Sequence, residues 1–181
     1  DDDIICYIDI GCTFNGHAKD RFYDYIHHTI KNNAICFEIP YAECDWTKMD
    51  TYQRIFPNDL THFYTNQRAG GIFFLKNNKL NKKVFSEIKK ISTERRYHYI
   101  SDAPSKLQNH NSFNEHRHDQ SIFSLMSKKY NFYTVKGVPE WSSDWQEIGK
   151  EFPIWATRNI NENSYKNNIL YYFYLQLNMQ Y

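Results

Sequence analysis

One carboxylate, Asp9, stands near the end of an apolar run that begins at Ile4 and closes with Gly11. A carboxylate in apolar surroundings costs free energy unless it is paired, hydrogen-bonded or bound to a metal. In open α/β sheets, ligands bind just beyond the carboxyl ends of the strands, where Asp9 falls if this run is a strand. A single carboxylate can hold a hard divalent cation when a diphosphate supplies further oxygens. Asp9 is therefore a candidate ligand for Mn²⁺ or Mg²⁺, and the alternative is an Asp that caps the next turn.

Two further segments combine residue types that suit ligand binding. Gly70 and Gly71 precede an apolar run, where glycines let a ligand approach the backbone closely, although a turn into a strand fits equally well. Residues 115–121, with the sequence EHRHDQS, lead into a predicted helix. The positive end of a helix attracts anionic ligands, but Asp119 also suits the role of helix cap. Each segment alone leaves both interpretations open.

Residues 141–158 combine three tryptophans with Arg158. Aromatic side chains present one apolar and one polar part to a ligand such as a sugar, and an arginine can bind phosphate through parallel hydrogen bonds. Ordinary packing explains the same composition, and we expect it for at least two of Trp141, Trp145 and Trp155.

Alternating strands and helices must position these groups. Apolar runs predict strands, and apolar residues spaced by three and four predict helices. The expected strands cover residues 4–11, 34–39, 71–76 and 132–135, and the expected helices cover residues 17–31, 48–56, 80–96 and 119–129, with a last helix from Tyr165. Pro40 is expected to end the second strand, and the first strand is apolar enough to be covered on both faces. This order predicts one α/β domain over residues 1–181, with a mixed, mostly parallel sheet flanked by helices.

The composition argues against several classes of protein. With 22 basic and 21 acidic residues the net charge is +1, whereas a nucleic-acid-binding protein normally has a basic excess. No segment reaches the roughly 18 apolar residues that a membrane span needs. The four cysteines form no CxxC pair, and His110, His116 and His118 have no further ligands nearby in the sequence, so we expect no zinc site. This cysteine usage favours a reduced, cytoplasmic setting.

Three blocks in this order resemble the nucleotide-sugar glycosyltransferases of the GT-A fold. They are the run that ends in Asp9, the glycine pair 70–71 before an apolar run, and His118-Asp119-Gln120-Ser121 before a helix. The segments YIDIGC (7–12), WTK (46–48) and RHDQSIFS (117–124) are similar more closely to small glycosyltransferases of large DNA viruses and of bacterial surface-polysaccharide gene clusters. The resemblance covers residues 1–158, and RHDQSIFS is its most specific part.

The resemblance implies a Rossmann-like GT-A fold that transfers a sugar from a nucleoside diphosphate to an acceptor hydroxyl of a glycan or glycoprotein. The donor-binding residues it implies are Asp9, Gly11, Gly70, Gly71, His118 and Arg158, with Mn²⁺ or Mg²⁺ at Asp9. Asp119 is then the base that takes the acceptor proton, and Gln120 holds a sugar hydroxyl. Contacts to the acceptor or the sugar fall to Trp46 and Lys48, and Glu43, Asp45 and Asp50 are reserve bases.

The chain departs from this family at one position. The family signature is Asp-x-Asp, but Gly11 stands at the second position, so we expect Asp9 to act as a single carboxylate anchor. The family also places nucleotide-binding strands upstream of this carboxylate, so we expect the sequence to be a fragment without them. Two other functions fit the same residues. Asp9 and the histidines suit a metal-dependent phosphohydrolase or nuclease, and the 18% aromatic content suits a non-catalytic carbohydrate-binding domain.

Overall fold

The computed structural model describes residues 3–137, 145 and 147–157. Its strands are β1 (Ile4–Ile8), β2 (Thr13–Phe14), β3 (Ala34–Ala42), β4 (Asn66–Arg68), β5 (Ile72–Lys76), β6 (Tyr133–Lys136) and β7 (Ile154–Trp155). Its helices are α1 (Lys19–Asn32), α2 (Glu43–Trp46), α3 (Met49–Ile55), α4 (Lys79–Tyr97) and α5 (His118–Lys129), and a short 3-10 helix, Gly16–Ala18, precedes α1. The main predicted elements are confirmed to within a few residues. The helix expected from Tyr165 lies outside the described residues.

A five-stranded mixed sheet forms the centre of the fold. β5 runs antiparallel to β1 on one side and to β3 on the other, and β4 pairs antiparallel with β3 further along. β6 pairs parallel with β3, so that Ile35 lies between Phe74 of β5 and Tyr133 of β6. The predicted mixed sheet is confirmed, but the expectation of mostly parallel pairing is wrong. β1, β3 and β6 run in one direction, and the chain turns back after β3, so that β4 and β5 oppose it.

Helices cover both faces of this sheet. Alternate residues of a strand point to opposite faces. On one face, Tyr25 of α1 packs against Phe37 and Phe74, and on the other face α3, α4 and α5 bury a second cluster that includes Phe73 and Leu75. The order of layers is therefore helix, sheet, helix. Among the described residues, no helix combines the length and the apolar character that crossing a membrane requires.

Two strand predictions are wrong in their details. β1 is not buried on both faces, because it pairs only with β5 among the described residues and leaves Ile5 and Tyr7 49% and 45% exposed. Its other face, with Ile4, Cys6 and Ile8, packs toward α1. β3 also continues through Pro40 to Ala42. A proline removes one ladder hydrogen bond, and the register of β3 against β4 shifts between Glu38 and Ala42, which accommodates that loss.

The helix predicted over residues 80–96 ends in an irregular segment. Glu94, Arg95 and Arg96 leave helical geometry, and Arg95, Arg96 and Tyr97 have φ of 48°, 56° and 64°. The Glu94 carboxylate accepts two hydrogen bonds of 2.7 Å from the Arg54 guanidinium of α3. This ion pair fixes the end of α4 against α3 and directs the chain into the loop at residues 98–117.

A buried ion pair connects the start of α2 to the end of α5. Glu43 is fully buried, and its Oε1 accepts a hydrogen bond of 2.6 Å from Nζ of Lys128, which is 7% exposed. The same carboxylate accepts hydrogen bonds from the hydroxyls of Ser124 and Thr47 and from Nε2 of Gln67 in β4. Because Glu43 and its donors are buried, the carboxylate has its hydrogen-bond partners only while α2, β4 and α5 stay in place.

We expect Lys128→Met to destabilise the protein strongly, because it leaves the Glu43 carboxylate without its counter-charge. Loss of one partner of a buried ion pair costs about 3–5 kcal/mol in the free energy of unfolding. The adjacent Lys129, which contacts Glu87 at the surface, provides the matched control, Lys129→Met, with an expected loss of about 1 kcal/mol or less. Urea unfolding measures both, and equal losses would contradict the assigned role of the buried pair.

Candidate functional site

The Asp9 carboxylate lies against the backbone of Gly71. The Asp9 amide donates a hydrogen bond of 2.9 Å to the Gly71 carbonyl, which continues the pairing of β1 with β5. A Cβ atom on Gly71 would lie only 2.6 Å from Oδ2 of Asp9. No side chain at position 71 fits beside this carboxylate in its present place. Gly71 is therefore needed for close approach.

Gly70 makes the corresponding contact with the start of α5. A Cβ atom on Gly70 would lie 2.9 Å from Cβ of Gln120 and 3.2 Å from its Cα. The Gly70 amide donates to Oε1 of Gln120 at 3.3 Å, and Nε2 of Gln120 donates to Oε1 of Gln67 at 3.0 Å. The glycine pair between β4 and β5 thus brings two distant segments of the sequence together, with Asp9 on one side and Gln120 on the other.

An open pocket of about 460 Å³ lies at the carboxyl end of β1. Residues 7–12 and the start of β5 line it, and Ala156 forms part of its wall. The pairing of β2 with β7 holds Ala156 there, and the side chain of Asn15 strengthens this link with hydrogen bonds to the carbonyls of Lys150 and Phe152. Asp9 and Gly11 therefore line a pocket at the place expected for a ligand in an α/β fold.

Tyr7 is a site residue that sequence reasoning missed. It lies two residues before Asp9, so both side chains project from the same face of β1. The hydrogen bond to Asp9 and the charge of that carboxylate raise the pKa of Tyr7, and burial and the charge of Asp119 act in the same direction. The Tyr7 ring stacks on Phe73 at 4.7 Å, which fixes its position. The hydroxyl of Tyr7 therefore lies within reach of the charges of both Asp9 and Asp119.

Asp119 and His118 occupy the exposed first turn of α5. Oδ1 of Asp119 accepts a hydrogen bond of 2.9 Å from the amide of Gln120, so Asp119 serves the helix end without standing at the N-cap position. Nε2 of His118 contacts Oδ1 of Asp102 at 2.7 Å. Gln120 uses both ends of its amide inside the protein, which gives it a positioning role. The expected contacts of His118 and Gln120 with a donor or sugar stay predictions.

Lys48 is placed differently from the sequence-based expectation. It is 2% exposed, and its Nζ donates to the carbonyls of His98, Ser101 and Ala103. These three acceptors use all three protons of the ammonium group, so the assignment of Lys48 as an acceptor or sugar contact is wrong. Its polar neighbours in sequence suggested exposure, whereas the carbonyls that bury it come from a loop about 50 residues later.

The Trp46 ring is half-buried beneath the Arg117 guanidinium, which lies 4.2 Å from its centroid. The Trp46 carbonyl accepts hydrogen bonds from the Arg117 amide and from Oγ of Ser121. Trp46 thereby anchors the start of α5, and the guanidinium already covers one ring face. A contact between Trp46 and the acceptor stays a prediction.

Two of the three reserve bases, Glu43 and Asp50, have structural roles. Glu43 is the fully buried partner of Lys128. Asp50 accepts hydrogen bonds from the amides of Lys106 and Leu107 and contacts Nε2 of His98 at 2.6 Å. Burial acts to raise the pKa of Asp50, but these hydrogen bonds outweigh it and lower the pKa to about 2. Neither carboxylate is placed to accept a proton from a ligand.

The Trp-rich segment is described only in part. Trp145 and Trp155 pack on each other with ring centroids 5.7 Å apart, and Nε1 of Trp155 donates to the Gly149 carbonyl at 2.7 Å. These contacts are the ordinary packing expected for two of the three tryptophans. Trp141 and Arg158 lie outside the described residues, so the predicted contact of Arg158 with phosphate stays a prediction.

The donor set at the pocket suits a hard divalent cation. Asp9 offers an exposed carboxylate in this pocket, while Gly11 offers no side chain. Carboxylate oxygens completed by phosphate and water oxygens are the ligands that Mg²⁺ and Mn²⁺ prefer. The Asp9 carboxylate therefore fits the expected Mn²⁺ or Mg²⁺ as a single protein ligand, with phosphate and water oxygens as the other ligands.

Comparison of the chain with protein-family models, with curated proteins and with solved structures gives no match. The functional interpretation therefore rests on the residues and their geometry.

Substitution of Gly71 and of Gly70 by alanine should distinguish the contact with Asp9 from the contact with the start of α5. In Gly71→Ala the new methyl group displaces the mobile end of Asp9, which we expect to cost about 1 kcal/mol or less in unfolding free energy. In Gly70→Ala the methyl group meets the α5 backbone, and the expected cost is about 1–3 kcal/mol. Chemical denaturation measures both changes, and each adjacent glycine controls for the other. A larger loss for Gly71→Ala than for Gly70→Ala would contradict the geometry.

His116 should make stability depend on pH. Burial lowers its pKa to about 4 from 6.5, and the neutral ring lies between the Tyr99 carbonyl and the Lys48 amide. Because the unfolded chain binds more protons between these values, the unfolding free energy falls as the pH drops from about 6.5 to about 4, by up to about 3 kcal/mol.

The variant His116→Gln removes this titration, so its unfolding free energy should change less over the same pH range. The exposed His27 provides the control, His27→Gln, which should retain the wild-type slope. Denaturant unfolding between pH 4 and 7 measures the slopes. An unchanged slope in His116→Gln would contradict a buried neutral imidazole.

Proposed function

We propose that the protein is a glycosyltransferase that binds a nucleoside-diphosphate sugar at the carboxyl end of β1, within a GT-A-type fold. The observation that carries this proposal is the convergence of three separate sequence blocks at the glycine pair. The Asp9 carboxylate packs on Gly71, Gln120 packs on Gly70, and Asp119 belongs to the same turn as Gln120. The three blocks therefore meet at the glycine pair, and Asp9 and Gly71 line the pocket beside it.

The electrostatics of the pocket support a diphosphate bound together with a cation. Asp9 and Asp119 are both acidic, so an anionic diphosphate requires a positive partner between it and the carboxylates. Asp9 would hold a divalent cation, and that cation, when bound, would supply this charge and stabilise the diphosphate as a leaving group. The N-terminal end of α5, close to Gly70, adds the positive end of a helix dipole.

In the transfer of the sugar, different residues of this chain have different roles. The bond between the anomeric carbon and the diphosphate oxygen breaks, and a bond forms from that carbon to the acceptor oxygen. Asp119 is exposed at the helix start and takes the acceptor proton as a general base in an inverting reaction. The Tyr7 hydroxyl holds Asp9 in place, and Gln120 holds the start of α5 on Gly70.

A metal-dependent phosphohydrolase is favoured less by the same geometry. Such enzymes use clustered ligands, often for two ions about 3.5–4 Å apart. Within the described residues, Cys44, Asp45 and His110 form a cluster of three potential metal ligands, and Asp9 belongs to no such cluster. A single exposed carboxylate that depends on oxygens from the ligand suits a nucleotide-bound cation better.

Calorimetric titration of the full chain with uridine, guanosine, cytidine and adenosine diphosphates tests donor binding, with and without Mn²⁺. We expect one nucleotide to bind, more tightly with Mn²⁺, and Asp9→Asn to weaken binding roughly tenfold or more, or about 1.4 kcal/mol. Asp24→Asn, at an exposed position of α1, is the matched control and should bind as the wild type does. Absence of binding under every condition, with the fold intact, contradicts the proposal.

Asp119→Asn separates binding from chemistry. The amide keeps the shape of the side chain but does not accept the acceptor proton, so we expect transfer to fall by roughly 10²-fold or more, in the range for loss of a general base. Donor affinity, measured by the same titration, should stay within a few-fold of wild type, after allowance for the lost charge near the cation. Unchanged turnover removes Asp119 from the catalytic assignment.

A further inference from the structure

Three side chains of different chemistry converge on the hydroxyl of Ser112. Cys44, Asp45 and His110 each place one potential metal-binding atom within 4.8 Å of the others. Oγ of Ser112 donates to Oδ1 of Asp45 and lies 2.7 Å from Nδ1 of His110, and the Cys44 thiol donates to Oδ1 of Asp45 at 3.3 Å. A serine hydroxyl thus occupies the point at which a sulfur, an oxygen and a nitrogen ligand meet.

The surrounding structure holds these ligands in place. The Cys44 amide donates to the Phe63 carbonyl at 2.9 Å, and the Asn114 amide donates to the Asp45 carbonyl at 2.8 Å. The His110 ring stands nearly perpendicular to the rings of Phe63 and Tyr64, at centroid distances of 5.8 and 5.7 Å. Cys44 is buried, whereas Asp45 and His110 are half-buried, so an ion can reach the cluster from solvent.

We propose that Cys44, Asp45 and His110 bind one zinc ion, with water as the fourth ligand. Zinc takes thiolate, imidazole and carboxylate ligands at about 2.0–2.3 Å in a tetrahedron, which places neighbouring ligand atoms roughly 3.4–3.6 Å apart. The observed separations of up to 4.8 Å therefore need to close by about 1.4 Å at most, with Ser112 moving out of the centre. A thiolate and an imidazole favour zinc over Mg²⁺ or Mn²⁺, so this site differs in chemistry from the one at Asp9.

Zinc at this position would stabilise the elements that hold the start of α5, next to the candidate active site. It joins α2 to the loop at residues 109–114, and the next residue after Asp45 is Trp46, whose carbonyl holds the start of α5. Local spacing does not indicate this site, because His110 follows Asp45 by 65 residues and the cysteines form no CxxC pair. The expectation of no zinc site, which rested on spacing alone, is replaced by this proposal.

Titration of the reduced full chain with Zn²⁺ against a chromophoric chelator tests the proposal. We expect one equivalent to bind, Mn²⁺ not to compete for it, and Co²⁺ to give a thiolate charge-transfer absorption in the near ultraviolet. Cys44→Ser, Asp45→Asn and His110→Ala should each weaken zinc binding by at least the roughly 10-fold to 100-fold that loss of a supporting group costs at metal sites.

Matched controls use residues outside the ligand set. Cys6→Ser and His27→Ala should bind zinc as the wild type does, and Ser112→Ala should retain it because the hydroxyl is displaced. The cobalt spectrum of the wild type needs no variant, so a variant that fails to fold does not block the test. Absence of the thiolate band in the wild type overturns the proposal. It is also overturned if Cys44→Ser and His110→Ala bind zinc as tightly as the wild type does.

Discussion

The buried carboxylate of Glu43 is the constraint on which the positions of the site elements depend. It receives hydrogen bonds from Lys128 and Ser124 of α5, from Gln67 of β4 and from Thr47. An uncompensated charge in this position costs several kcal/mol, so only the arrangement with all donors in place is stable. Gln67 then extends the network to Gln120 at the other end of the helix. The polar interior thus fixes where α5 begins relative to the sheet.

The glycine pair at residues 70 and 71 lets other segments pack closely beside the start of α5, and this packing forms the candidate site. β4 and β5 lie end to end beside β3, and residues 69–71 separate the two strands. Without side chains at 70 and 71, the α5 backbone and the end of β1 approach these residues from two sides. The result is a pocket lined by the Asp9 carboxylate and by Tyr7, whose pKa is raised by Asp9 and, to a smaller extent, by the charge of Asp119.

Local patterns predicted the parts of the structure that depend on local physics. The amphipathic spacing located α1, α4 and α5. The glycine pair indicated close approach to the backbone, but the groups that approach it are Asp9 and Gln120, whereas a ligand was expected. Burial could not be predicted in the same way. β1 is apolar yet leaves Ile5 and Tyr7 about half exposed, and among the described residues it pairs with β5 alone. Lys48 stands in a polar segment yet is buried by carbonyls of a distant loop. Glu43 looked like a reserve base because its partner, Lys128, follows 85 residues later.

We propose that Asp9 holds the cation of a bound nucleoside diphosphate. Crystals of the full chain soaked with a nucleoside diphosphate and Mn²⁺, measured for the anomalous signal of manganese, test this directly. We expect one manganese peak at about 2.2 Å from an Asp9 carboxylate oxygen, next to the diphosphate in the pocket beside Gly71. A nucleotide and manganese bound elsewhere, with the Asp9 pocket empty, would contradict it.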